Sequence, residues 1–210
     1  ARIPLVNGQD ESGITVNLTP YPDLHTPVLS VGEAGEWDSS GVGFARVFNK
    51  DGVFHMLYLG WATEWGHVHA AVGYATSDDG LNWTEYEGNP VFVPDPAVAP
   101  EGMLNLSVML DGETWVMYFG QFKDPYVPSE TILRATASSP TGPWTVDPEP
   151  IVLAPGAASD WDHHPLAVES VLRTDEGYVL YYAPMHHLNS DGIYYVGAGI
   201  GRATSPDGTH

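Results

Sequence analysis

The segment Gly73–Trp83, GYATSDDGLNW, recurs as LRATASSPTGPW (Leu133–Trp144) and again as GRATSPDGTH, which ends the chain at His210. Three copies spaced roughly 60 to 70 residues apart are the signature of stacked repeat units. Each copy alternates small and apolar residues up to a serine, then turns through Asp, Pro or Gly. Asp-Gly after an alternating run marks a tight hairpin turn, because glycine accepts the positive φ that such turns need. Before each copy lies an aromatic-rich strand: VFHMLYLGW (Val53–Trp61), TWVMYFG (Thr114–Gly120) or YVLYYAP (Tyr178–Pro184). Before that lies another: GVGFARVF (Gly41–Phe48), GMLNLSVML (Gly102–Leu110) or PLAVESVL (Pro165–Leu172). A closing phrase, NPVFVP (Asn89–Pro94) and EPIVLAP (Glu149–Pro155), completes the first two units, so the expectation is four strands per unit.

Composition narrows the possibilities. Gly (23) and Pro (18) are spread between short strands, and no long apolar stripe of helical period occurs, so the fold class is all-β. Seven basic residues against 27 acidic ones give a formal charge of −20. That argues against nucleic acid and anionic membranes as partners, since phosphate binding needs clustered Lys and Arg. A neutral carbohydrate is compatible with such a field. With no cysteine there is neither a disulfide nor a thiolate metal site. No apolar run reaches the roughly 18 residues of a membrane span. The acidity points to a secreted or periplasmic protein.

Taken in order, residues 1–36 hold an outer strand, Gly13–Pro20, and a lead-in with its own closing phrase, Thr26–Gly32. Residues 37–96 form blade 1, 97–158 blade 2, and 159–210 an incomplete blade 3. Four-stranded units of this length are β-propeller blades, and closed propellers have four to eight of them. Three blades lead to the expectation that the remaining blades lie on a second chain, or that copies associate as a homo-oligomer.

The phrases WDSSGVGFARVFNKDGVFHMLYLGW and AVGYATSDDGLNWTEYEGNPVF resemble the five-bladed β-propeller glycoside hydrolases, the group of families 32, 43, 62, 68, 117 and 130. The resemblance covers nearly the whole chain and makes it an N-terminal portion of such a ring. It implies acidic residues on successive inner strands: a base or nucleophile Asp, a helper Asp and an acid Glu. Aligned on Val47, Val108 and Val171, the inner strands put Glu169 where the family has its acid, but Phe44 and Asn105 where it has its two aspartates. Glycosidic cleavage uses one carboxyl group to protonate the leaving oxygen and another to activate water or attack. The candidates for a substitute base are Asp38 and Glu101, in the loops entering the inner strands.

The candidate catalytic residues are therefore Glu169, Asp38 and Glu101. Trp37, Asn105, Trp161, Asp162, His163, His164 and His186 are candidates for sugar binding. No cofactor is expected. A structural or axial metal ion held by some of the nine histidines is a minor alternative, because adjacent side chains on a strand face opposite ways and zinc needs three or four converging ligands. The reading is a glycosidase acting on a neutral oligo- or polysaccharide with Glu169 as general acid. The alternative is a carbohydrate-binding propeller that has lost its base. A sialidase-like propeller, suggested by Ser77-x-Asp79-Gly80-x-x-Trp83, and a pure interaction scaffold are minor alternatives.

Overall fold

The computed structural model describes residues 27–62, 70–99, 102–124, 127–152, 161–162, 166–188, 193–196 and 199–209. Every regular element among them is a strand, and the strands form three antiparallel sheets. The first runs β1 (Gly41–Lys50), β2 (Val53–Trp61), β3 (Ala71–Ser77), β4 (Thr84–Glu85). The second runs β5 (Met103–Asp111), β6 (Thr114–Asp124), β7 (Val127–Ala137), β8 (Thr145–Val146), with β9 (Ile151–Val152) also on β7. The third pairs β10 (Leu166–Thr174) with β11 (Gly177–Leu188); β12 (Ile193–Val196) and β13 (Gly201–Ser205) pair with different lengths of β11. These are propeller blades, with β1, β5 and β10 each at one edge of its sheet.

Local chemistry sets the turns. The β1–β2 hairpin closes through Asp51 (φ 54°) and Gly52 (φ 87°), both left-handed as a two-residue turn matched to strand twist requires. After β3, Ser77 Oγ accepts the Gly80 amide and Asp79 accepts the amides of Leu81 and Asn82. Ser205 and Asp207 repeat this after β13, so the serine-aspartate phrase that defines the period is a turn device. Trp83 closes the turn after β3, and Trp144 the one after β7, by donating to the carbonyls of Gly80 and Pro140.

Neighbouring blades bury apolar faces against each other. Leu57, Leu59 and Val72 of blade 1 share a core with Met103, Leu106 and Phe119 of blade 2. Val116 and Ile132 of blade 2 share another with Val168 and Val171 of blade 3. Each such side chain contributes about 1.5–3 kcal/mol on burial, which is why blades stack rather than stand alone.

Two expectations need correction. The fourth strand is not one continuous closing phrase: in blade 1 it is split into β4 and a single bridge from Phe92 to Val72, in blade 2 into β8 and β9. The cause in blade 1 is a turn at Tyr86–Asn89, where the Asn89 side chain takes the place of backbone. Its Oδ1 accepts the Tyr74 amide at 2.9 Å and its Nδ2 donates to the Tyr74 carbonyl at 3.1 Å. The described residues of Thr26–Gly32 form no strand; Leu29 instead packs against Met56, Tyr58 and Ala75, a cluster separate from the core shared with blade 2. The expected strand Gly13–Pro20 lies outside the described residues.

Candidate active site

All three inner strands carry a bulge at corresponding places. The pairing slips between Gly43 and Arg46 in β1, Leu104 and Ser107 in β5, and Val168 and Ser170 in β10. A bulge inserts one unpaired residue and re-aims a side chain. Phe44 (φ 52°) and Asn105 (φ 56°) adopt the left-handed conformation there. The third bulge consists of Glu169.

As the edge strand of its sheet, β10 leaves backbone groups without ladder partners, and such groups demand satisfaction when buried. Side chains of the other two inner strands supply it. Asn105 Nδ2 donates to the Val168 carbonyl at 3.2 Å, and the Val171 amide donates to Ser107 Oγ at 2.9 Å. From β1, Arg46 Nη2 donates to the Glu169 carbonyl at 2.9 Å, while its Nη1 reaches the Ala45 carbonyl at 3.2 Å. Arg46, Ser107 and Ser170 share one repeat position, counted from the hairpins Lys50–Val53, Asp111–Thr114 and Thr174–Gly177. Arg46 thus reaches the bulge that presents Glu169, and Ser107 the backbone two residues beyond it.

Glu169 is half-buried in an apolar strand. Burial pushes its carboxyl pKa above the ordinary value, and the Arg46 charge pulls the other way. Burial correspondingly lowers the Arg46 pKa, which the charge of Glu169 partly offsets. A carboxyl group held toward its protonated form is what a general acid needs near neutral pH.

Asp38 has a different setting. It is 1% exposed, and burial, reinforced by the charges of Glu85 and Glu36, raises its pKa. Its Oδ2 has no hydrogen-bond partner among the described residues. The preceding Trp37 lies 5.8 Å, centroid to centroid, from Tyr58, whose hydroxyl donates to Glu85 at 2.9 Å. Blade 3 repeats the ring pair with a different acceptor: Trp161 stacks on Tyr182 at 6.0 Å, and the Tyr182 hydroxyl donates to Asp162, the turn's own aspartate, at 3.1 Å. In both blades the tyrosine faces a glycine on the next strand, Gly73 or Gly201, and a Cβ there would lie 2.4 or 2.1 Å from the ring. The Trp-Asp turns are therefore a repeated packing module.

Glu101, His163 and His164 lie outside the described residues. So does the side chain of His186, whose backbone pairs with Tyr195 between β11 and β12. Trp161 is 43% exposed. Among the described residues no three His, Asp or Glu side chains are placed to hold a metal ion together. Arg134, at a repeat position that Tyr74 fills in blade 1, is paired with Asp147 at 2.6 Å. Sequence reasoning missed Arg46 and Ser107. The available signal was the guanidinium in the apolar run GVGFARVF, which is the same kind of anomaly that singled out Glu169.

No protein-family model matches the chain. The 1,2-β-oligomannan phosphorylase of Thermoanaerobacter sp. (strain X514) is 28% identical over 108 residues, 48% of this chain and 36% of that protein. The acid β-fructofuranosidase of Vicia faba is 39% identical over 83 residues, 37% of this chain and 12% of that protein. Among solved structures, Zg3597, a family 117 glycoside hydrolase of the marine bacterium Zobellia galactanivorans, superposes with a TM-score of 0.61 at 18% identity. That superposition covers 87% of this chain and 57% of Zg3597, so the chain spans little more than half of its solved neighbour and less of its curated relatives. Repeats, blades and likenesses agree that the chain has the fold of the five-bladed propeller glycoside hydrolases.

Proposed function

We propose that these blades belong to an enzyme that cleaves a glycosidic bond of a neutral oligo- or polysaccharide, by hydrolysis or phosphorolysis, with Glu169 as general acid. The observation that carries this is the carboxyl group of Glu169, half-buried in a bulge of an otherwise apolar inner strand and raised in pKa by that burial. In the reaction Glu169 gives its proton to the glycosidic oxygen as the bond to the anomeric carbon breaks, and water or phosphate takes the sugar. The second carboxylate falls to Glu101 or Asp38. Near-complete burial of Asp38 favours Glu101, which precedes β5 by two residues in sequence. Stacking on the exposed ring of Trp161, with hydrogen bonds from His163, His164 and His186, would hold the sugar.

The test is sugar release from β-1,2-linked manno-oligosaccharides and β-fructosides, chosen from the names of the relatives, each with and without inorganic phosphate. Release that depends on phosphate marks a phosphorylase, and release without it a hydrolase. A second reading is a carbohydrate-binding propeller without turnover. It draws support from Phe44 at an expected aspartate position and from Asn105 at the other, with its amide engaged by the Val168 carbonyl. Saturable binding of the same sugars with no release would select it. Because the chain spans 57% of Zg3597, a ring of that size needs further blades, from additional sequence, a second chain or another copy. The native mass measured by light scattering tests this, and a cooperatively folded 22.7 kDa monomer would exclude it.

A further inference from the structure

We propose that Arg46 is a positioning residue for Glu169: it reaches from the blade 1 bulge to the blade 3 bulge, fixes the peptide that carries the acid, and sets the charge environment of its carboxyl group. The role of that acid rests on the reading above; the contact does not.

The geometry is specific. The bond from Arg46 Nη2 goes to the backbone oxygen of Glu169, not to its carboxylate, so the guanidinium fixes where the side chain departs while leaving both carboxyl oxygens outside that bond. Its other terminal nitrogen returns to the Ala45 carbonyl, within the β1 bulge. A planar fork with donors on two prongs can hold two backbone oxygens at once, whereas the compact ammonium of a lysine cannot do so with defined direction. One guanidinium therefore links two bulges whose residues stand 123 apart in sequence. Asn105 and Ser107 hold the backbone on either side of the same bulge, at Val168 and Val171, so β10 is gripped at three points from two blades. Both partners are half-buried, where the field of a cation is screened less than at the surface.

The groups facing Glu169 can be named element by element. From β1 comes Arg46, the charged group among the described residues whose field reaches the carboxyl. The bulge of β5 contributes uncharged Asn105 and Ser107. Opposite Glu169 on β11 stand Tyr181 and Tyr182, which pair with its two neighbours. Removing the Arg46 charge therefore leaves burial unopposed, and the carboxyl holds its proton to higher pH.

The experiment is a ¹³C-carboxyl NMR titration of the protein as it is made in the cell, with the Glu169 signal assigned by its loss in E169Q. In R46Q and R46M the Glu169 midpoint moves up. In R46K, which keeps the charge without the fork, it moves less. Turnover in R46Q falls about a hundredfold, the scale expected when a catalytic group is displaced by an ångström, and the loss is in kcat more than in KM. A folded R46Q with an unmoved midpoint overturns the proposal. If neither neutral variant folds, the parent decides: an Arg46 guanidinium with exchange-protected Nη–H signals and contacts to the β10 bulge supports it, and one that exchanges freely overturns it. None of the NMR readouts requires activity, so a protein without turnover would defeat the glycosidase reading while still testing Arg46.

Discussion

Gly73→Ala tests whether the Trp-Asp-Tyr module is as tightly built as its geometry states. A Cβ at Gly73 would lie 2.4 Å from Tyr58 Cζ and 2.7 Å from its hydroxyl, far inside van der Waals contact, and Tyr58 is 1% exposed. The ring cannot yield freely. Its hydroxyl is held by Glu85 at 2.9 Å and Asn89 at 3.3 Å, and its face packs on Trp37. Overpacking a core by one methyl group costs about 1–3 kcal/mol, and loosening the Tyr58–Glu85 bond adds about 1 kcal/mol. For a domain of this size each kcal/mol moves Tm by about 2–4 °C, so the expected loss is about 4–16 °C. Gly43→Ala is the control: its Cβ would meet Trp61 at an ordinary 3.6 Å, and reduced freedom of the unfolded chain makes it neutral or stabilising by up to about 1 kcal/mol. Calorimetry and urea unfolding, read on both variants, supply the comparison. A Tyr58→Leu partner should recover part of the loss, a coupling that independent sites do not show. Equal stability of Gly73→Ala and Gly43→Ala would refute the reasoning.

Other consequences are as direct. Asn105→Ala leaves the buried Val168 carbonyl without its donor and removes a residue suited to positive φ, for an expected cost of about 1–3 kcal/mol by urea unfolding. Asn105→Asp, which restores the acid that the resemblance implies, should be no better at neutral pH because an acceptor then faces an acceptor. E169Q should stabilise the fold at neutral pH. The Glu169 pKa is raised in the folded state, so its ionised form opposes folding; the gain should be absent below the ordinary value of 4.5 and appear as pH rises through the folded pKa, seen as a Tm difference across a pH series. Asp79 has the opposite sign. Amides of Asn82 and Leu81 hold its pKa below the ordinary 3.8, so its contribution is full above that value and is lost as pH falls through the folded pKa, and Asp79→Ala should remove this acid dependence from the Tm series.

Much of the blade was legible in the sequence because its signals are local. Alignment of Val47, Val108 and Val171 agrees with the observed hairpin registers, since register counted from a tight turn needs no tertiary information. Glu169 was legible for a similar reason: a carboxylate in LAVESVL contradicts its surroundings. What could not be read depends on partners distant in sequence. The bulges at Phe44 and Asn105 exist only through pairing with β2 and β6, and the targets of Arg46 and Ser107 lie on another blade. The amide of Asn105, a candidate for sugar binding, donates to the Val168 carbonyl, a partner 63 residues away. The split outer strand turns on one side chain, Asn89, acting as backbone.

The central claim is that Glu169 gives a proton to the leaving oxygen, and leaving-group dependence tests it most directly. A sugar attached to a poor leaving group needs that proton, whereas a dinitrophenyl glycoside departs without it. Replacing Glu169 by Gln should therefore lower kcat/KM on the natural oligosaccharide by about 10²–10⁴-fold, the usual contribution of general acid catalysis. It should leave cleavage of the activated glycoside within about tenfold of the parent, and sugar binding intact. Equal loss on both substrates, or a variant as active as the parent on the natural one, would contradict the account.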